Sequence, residues 1–202
     1  MRNLITTLVV TPLLLLLTAD KLYSQQDPQF TNYMYNTTVI NPAYAGTRDA
    51  LSILALYRTQ WAGLDGAPVT ASASVHSPMT NSNLGWGLSV VNDEIGPSIE
   101  QHFSADFSYR ITFANLSKLS FGLKASANLL NVDYTKLTIY DPTDPQLQNN
   151  VDNRFTPNFG VGFYWYSDSY YFGVSVPNFL ETNYYDDNTR SSSVKESMHY
   201  YF

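Results

Sequence analysis

The chain has 202 residues, no cysteine, 44% hydrophobic residues and a formal net charge of −6. Without thiols it has no disulfide scaffold, thiol nucleophile or zinc–thiolate site, and an acidic chain with no basic run is unsuited to gripping nucleic acid through phosphates. Mean hydropathy is −0.20, and after the first residues no apolar run approaches the roughly 20 residues that a membrane helix needs.

The chain opens like an export signal. Arg2 supplies the positive start, Leu4 to Leu17 is an apolar core interrupted by Pro12, and small or polar residues follow, which predicts cleavage near Ser24–Gln25 and a signal peptide over 1–24. The core is short for a membrane anchor. Residues 25–49 form a polar and aromatic lead-in with Pro28, Pro42 and the turn signals Asn41-Pro42 and Ala45-Gly46. It is expected to be periplasmic.

From residue 50 the dominant signal is a two-residue rhythm, which in a strand sends alternate side chains to opposite faces. His102–Phe113 carries it best. Phe103, Ala105, Phe107, Tyr109, Ile111 and Phe113 fall on one side, and His102, Ser104, Asp106, Ser108, Arg110 and Thr112 on the other. The same reading predicts strands at Ala50–Trp61, Val69–Ser77, Leu84–Val91, Leu119–Asn131, Asn158–Tyr166 and Tyr170–Val176, with an eighth beginning near Ser197. Strands of about ten residues can cross a bilayer at a tilt, so residues 50–202 are expected to be an all-β, antiparallel transmembrane barrel of the outer-membrane type. The apolar positions Leu51, Val75, Trp86, Phe107, Phe121 and Phe163 should then share the lipid face.

The connections support that architecture. Met79–Asn83, Ala114–Lys118 and Ser167–Ser169 are short, whereas Ala62–Pro68, Asp93–Gln101, Val132–Pro157 and Pro177–Glu196 are mostly longer. Outer-membrane barrels put short turns in the periplasm and long loops outside. On that topology Trp86, Phe113, Phe121 and Trp165 gather near the periplasmic ends, and Tyr57, Trp61, Phe103 and Phe159 near the outer ends, where aromatic girdles belong. The competing reading is a soluble β-sandwich with an aromatic core. The poorly patterned start of the eighth strand, with Lys195 and Glu196, favours a barrel cut short at the C-terminus, whose first and last strands do not pair.

Little points to chemistry. His76, His102 and His199 are scattered and no Gly-x-Ser-x-Gly elbow accompanies the many serines, so a barrel lipase has no motif. Asp141, Asp144, Asp152 and Asn153 could offer oxygens to calcium, but their spacing fits no EF-hand loop and Pro142 and Pro145 explain the segment as a stiff acidic turn. No metal or cofactor is expected. Gly63 and Gly66 in WAGLDGAP read as turn glycines, and Asp93 and Glu94 in NDEIGP as solvated loop residues. The positions worth following are the inward-facing charges Arg58, Asp106, Arg110 and Lys124, because charge on a lumen wall implies water or pairing. Asp106 and Lys124 should meet across a hairpin turning at Ala114–Lys118. Such a wall is either a salt-bridged lining or a surface that grips a polypeptide or plug.

Four motifs in order, QQDPQFTNYMYN, INPAYAGT, YRTQWAGLDGAPVTASASVHSP and GWGLSVVNDEIGP, resemble the PorP/SprF family of membrane proteins of the type IX secretion system of Bacteroidetes. The resemblance runs from Gln25 to the C-terminus. It implies an outer-membrane barrel, usually in a longer chain, working in the secretion of cell-surface proteins that include gliding adhesins, with no catalytic residues to carry over. The partners it implies are other secretion components, an exported surface protein and outer-membrane lipid, with no nucleic acid. A general diffusion porin is the alternative.

Overall fold

The computed structural model describes residues 34–137, 150–180 and 198–202. Seven strands follow one another as an antiparallel meander: β1 (Ser52–Thr59), β2 (Val69–Pro78), β3 (Leu84–Ile95), β4 (Ser98–Thr112), β5 (Lys118–Val132), β6 (Val151–Tyr166) and β7 (Tyr171–Val176). The sheet curls into a half-barrel. Each strand pairs with its neighbours in sequence, as hairpin connections dictate. Among the described residues the sheet is open, with β1 and β7 as its edges. Beyond β7 lies a single antiparallel bridge from Ser175 to Tyr201, and no ladder joins β1 to residues 198–202.

The two faces invert the usual order of a protein in water. The register lines up Ile53, Val75, Leu88, Ala105, Ala125 and Phe159 in one row around the convex face. Below it run Trp86, Phe107, Leu123 and Val161, and then Leu84, Tyr109, Phe121, Phe163 and Val174. Many of these are exposed: Ile53 at 74%, Leu123 at 62% and Phe121 at 46%. The concave face buries Ser72, Ser74, Ser89, Asp106, Ser108, Ser120 and Lys124. Exposed aromatics over buried serines would be unstable in water and are what a lipid-facing wall requires. A sandwich core is excluded, since Phe107, Phe121 and Phe163 share the exposed face with Leu51 and Val75. From the row of Ile111, Leu119, Trp165 and Phe172 to that of Ala55, Ala73, Val90 and Phe103, the apolar belt is five rows deep. That is about 27 Å along the strands, close to the roughly 25 Å apolar band of outer-membrane barrels before allowing for tilt.

Several expected boundaries move. The Asp93–Gln101 link is a two-residue turn: β3 and β4 continue until only Gly96 and Pro97 separate them, with Gly96 at φ 57°. The ladder outlasts the alternation because backbone hydrogen bonds do not depend on side-chain polarity. Asn92 pairs with Gln101, whose amide donates to it across 3.0 Å. Asp93 is therefore not a solvated loop residue; it is buried and accepts from the Thr70 hydroxyl. Similarly β6 begins at Val151, so the Val132–Pro157 link shortens. Pro157 is tolerated because β7 pairs only with Val161–Tyr166, leaving this stretch of β6 a ladder on one side. Trp61, expected to end the first strand, sits at φ 50° in the turn after β1, with Gly63 and Gly66 at φ 93° and 75°. The signal region 1–24, Asp141, Asp144 and the start of the eighth strand at Ser197 lie outside the described residues.

Candidate functional site

The concave face is not bare. Residues 36–49 of the lead-in lie against it, as a four-residue helix α1 (Thr37–Ile40) and a 3-10 turn at Pro42–Tyr44. Asn36 starts the crossing on β2, where Ser74 Oγ donates to its side chain across 2.8 Å and its amide reaches Ser72 Oγ at 3.4 Å. The segment then runs across the sheet to β7, where Ser175 Oγ donates to the carbonyl of Ile40 at 2.8 Å. There it reverses. Asn41 donates to the carbonyl of Phe163 at 3.1 Å and accepts from the amide of Ala43 at 3.0 Å, fixing the turn that Pro42 begins. The return path passes β4, where Ser108 Oγ donates to the carbonyl of Ala45 at 2.7 Å, and ends on β2, where the Gly46 amide donates to His76 Nδ1 at 3.1 Å.

The wall makes room by omitting side chains. One inward row reads Pro78, Gly85, Ser108, Gly122, Gly162 and Ser175. A Cβ on Gly85 would stand 2.5 Å from the carbonyl oxygen of Ala45; one on Gly122 would overlap the amide of Ala43, and one on Gly162 the side chain of Asn41. Gly46 itself sits at φ 73°, backbone closed to most side chains. The result is a groove fitted to a polypeptide main chain. Ala43 and Ala45 are completely or nearly completely buried in it. Tyr44 projects sideways, edge-on to His76 and to Tyr164 with ring centres 5.5 and 5.4 Å apart.

Charge enters at two places. In the neighbouring inward row Asp106 pairs directly with Lys124, Nζ to Oδ1 2.9 Å, with both side chains buried. Lys124 spends its other donors on the carbonyl of Thr38 at 3.1 Å and on Ser104 Oγ at 3.3 Å. This hairpin partnership follows from the strand pattern, but burial beneath the lead-in does not. The second place is the joint between lead-in and β1. Asp49 accepts from Arg110 of β4 and, at 2.8 Å, from Lys118 of β5. The Lys118 hydrogen bond, followed by that of Arg110, holds the Asp49 carboxyl below its ordinary value. Tyr166 completes the cluster, its hydroxyl 3.5 Å from Arg110 and its ring under the Lys118 ammonium. Arg58 stands apart from both clusters, on β1 opposite Thr70, in the inward row that also carries Asp93, Glu100 and Arg154.

Three of the four charges followed from the sequence thus come together around the lead-in, Asp106 and Lys124 beneath it and Arg110 at its end. Sequence reasoning missed His76 and Ser108 as docking groups, the partner that Asp49 supplies, and the covering segment itself. The inward glycines at 85, 122, 160 and 162 were the available signal, because a strand gains nothing from Gly unless another backbone comes close.

A curled antiparallel sheet with an apolar outside, a polar inside and a built-in occupant suits a membrane wall protein. The sequence profile of the family described as "Type IX secretion system membrane protein PorP/SprF" matches residues 22–202. The chain belongs to the PorP/SprF family. It is a membrane component of the type IX secretion system. A search of curated proteins and a search of solved structures return no match to it.

Proposed function

We propose that this PorP/SprF protein resides in the outer membrane and holds exported surface proteins, gliding adhesins among them, rather than conducting solutes or catalysing a reaction. The observation that carries the reading is the occupied concave face. A diffusion porin keeps its polar lining open to water, whereas here Ser74, Ser108, Lys124 and Ser175 are committed to the lead-in. His76 Nδ1 likewise accepts from Gly46, so the histidine most deeply placed in the wall serves attachment, not proton transfer. The link at 60–68, opposite the short turns, would present the binding surface for cargo, and the short turns would face periplasmic partners. The test is conductance in a planar bilayer of the protein extracted from native outer membrane together with whatever completes its wall, and affinity capture from the same membrane. Bilayer currents at background level and recovery of secretion components with a surface protein are expected. Steady porin-like conductance, with no secretion component recovered, would replace the anchor by a pore.

A further inference from the structure

We propose that residues 36–46 are a permanent strut of the wall and not a gate that opens during secretion. The geometry stands independently of what the protein holds at its outer mouth. Attachment is made to the segment's main chain: the carbonyls of Thr38, Ile40 and Ala45 each accept from a wall side chain, and the Gly46 amide donates to His76. Sliding the strut by one residue would misplace these groups together, because the four donors and acceptors stand on four different strands. Its path goes out to β7 and back to β2, so neither leg can leave while the other stays seated. Shape adds a second lock. Gly85, Gly122 and Gly162 leave a hollow that only this backbone fills, and Ala43 and Ala45 offer no side chain for a ligand to grasp from outside. Finally, residues 47–51 alone separate the seat of Gly46 from β1. A leash of five residues spans no more than about 18 Å, which confines any excursion of Gly46 itself to the mouth of the groove.

The chain has no cysteine, so thiol probes report without background. In the purified, folded protein in detergent, Ala45→Cys should react with a hydrophilic maleimide about 100-fold more slowly than Asp65→Cys in the exposed β1–β2 link, as for a site opened only by sub-global unfolding. Comparable rates would overturn the proposal. A second experiment covers the working state. An ideal Cβ on Gly87 lies 3.5 Å from the Cβ of Ala45, within disulfide range, so the double variant Ala45→Cys/Gly87→Cys should cross-link. Cells relying on it should export surface protein equally well with the bond formed or reduced. Export lost only in the oxidised state would show that the strut must leave, and failure of the bond to form in folded protein would show that it is not seated.

Discussion

Lys124 is the residue on which the inner face turns. Its ammonium has three hydrogen-bonding positions and meets Asp106, Ser104 and the carbonyl of Thr38. Replacing it by methionine keeps the packing volume but leaves Asp106 buried without its counter-charge, which costs about 3 kcal/mol or more. The double variant Lys124→Met/Asp106→Leu removes both charges and should recover most of that loss, since a buried pair is often no better than an apolar replacement. Chemical unfolding in detergent checks both: a single variant as stable as the parent would mean that the pair is wetted after all. Gly122→Ala tests the groove by shape alone. The added methyl would overlap the Ala43 amide, so a cost of about 1–3 kcal/mol, the usual cost of overpacking, is expected in the same measurement. Gly63→Ala offers a contrast, because no atom lies near its Cβ and its cost comes only from the positive φ.

Among the elements, the joint at residues 47–50 differs in kind from the strut it follows. It is fastened by charge at an exposed site, where Asp49 bridges Arg110 and Lys118. The folded carboxyl titrates below its unfolded value, so the stabilisation is complete above about pH 4 and is lost as pH falls through the lower, folded value. Hydrogen exchange of residues 47–51 should therefore quicken between pH 5 and the most acidic pH the fold tolerates, after correction for intrinsic rates. Asp49→Asn should show the faster exchange already at neutral pH and no further acid step. It keeps a residue type that accepts the φ of 57° at this position. Persistence of the acid step in that variant would assign it to another group. The contrast between strut and joint also marks what the sequence makes legible. Strand identities, their order and the exposed face that carries Phe107 and Phe121 follow from period two alone, since a one-residue slip inverts a face. The Asp106–Lys124 partnership follows from the same parity once the hairpin is placed. Strand ends do not, because Asn92, Asp93 and Gln101 continue the ladder after the apolar signal stops. Nor does the strut: carbonyls accepting from Ser108 or Ser175 leave no pattern in the segment that offers them, and an inward glycine tells of a close approach without saying by what.

At the scale of the whole molecule the open edge governs behaviour in lipid. Along β1 the backbone groups facing away from β2 meet no strand among those described. In hydrocarbon each unsatisfied group costs several kcal/mol. The 202-residue chain refolded alone into lipid vesicles should accordingly give no protease-resistant, heat-modifiable barrel, whereas the chain supplied with a strand able to pair with β1 should. Stable insertion of the chain alone, with a continuous ladder between β1 and residues 198–202 seen by solid-state NMR, would establish an eight-stranded closure instead.

The strut precedes every described strand, and this order has a consequence for biogenesis. A polypeptide exported N-terminus first delivers Asn36 to Gly46 before any of the wall exists. Its anchoring partners arrive later and in sequence, from Ser74 on β2 to Ser175 on β7, a separation of 135 residues from Ile40. The sheet is then cast around a mandrel that it never withdraws, and each new hairpin is gauged against the same short piece of backbone. Contacts of such range are slow to form, so moving the segment to the end of the chain by circular permutation should leave the finished wall intact but delay its assembly.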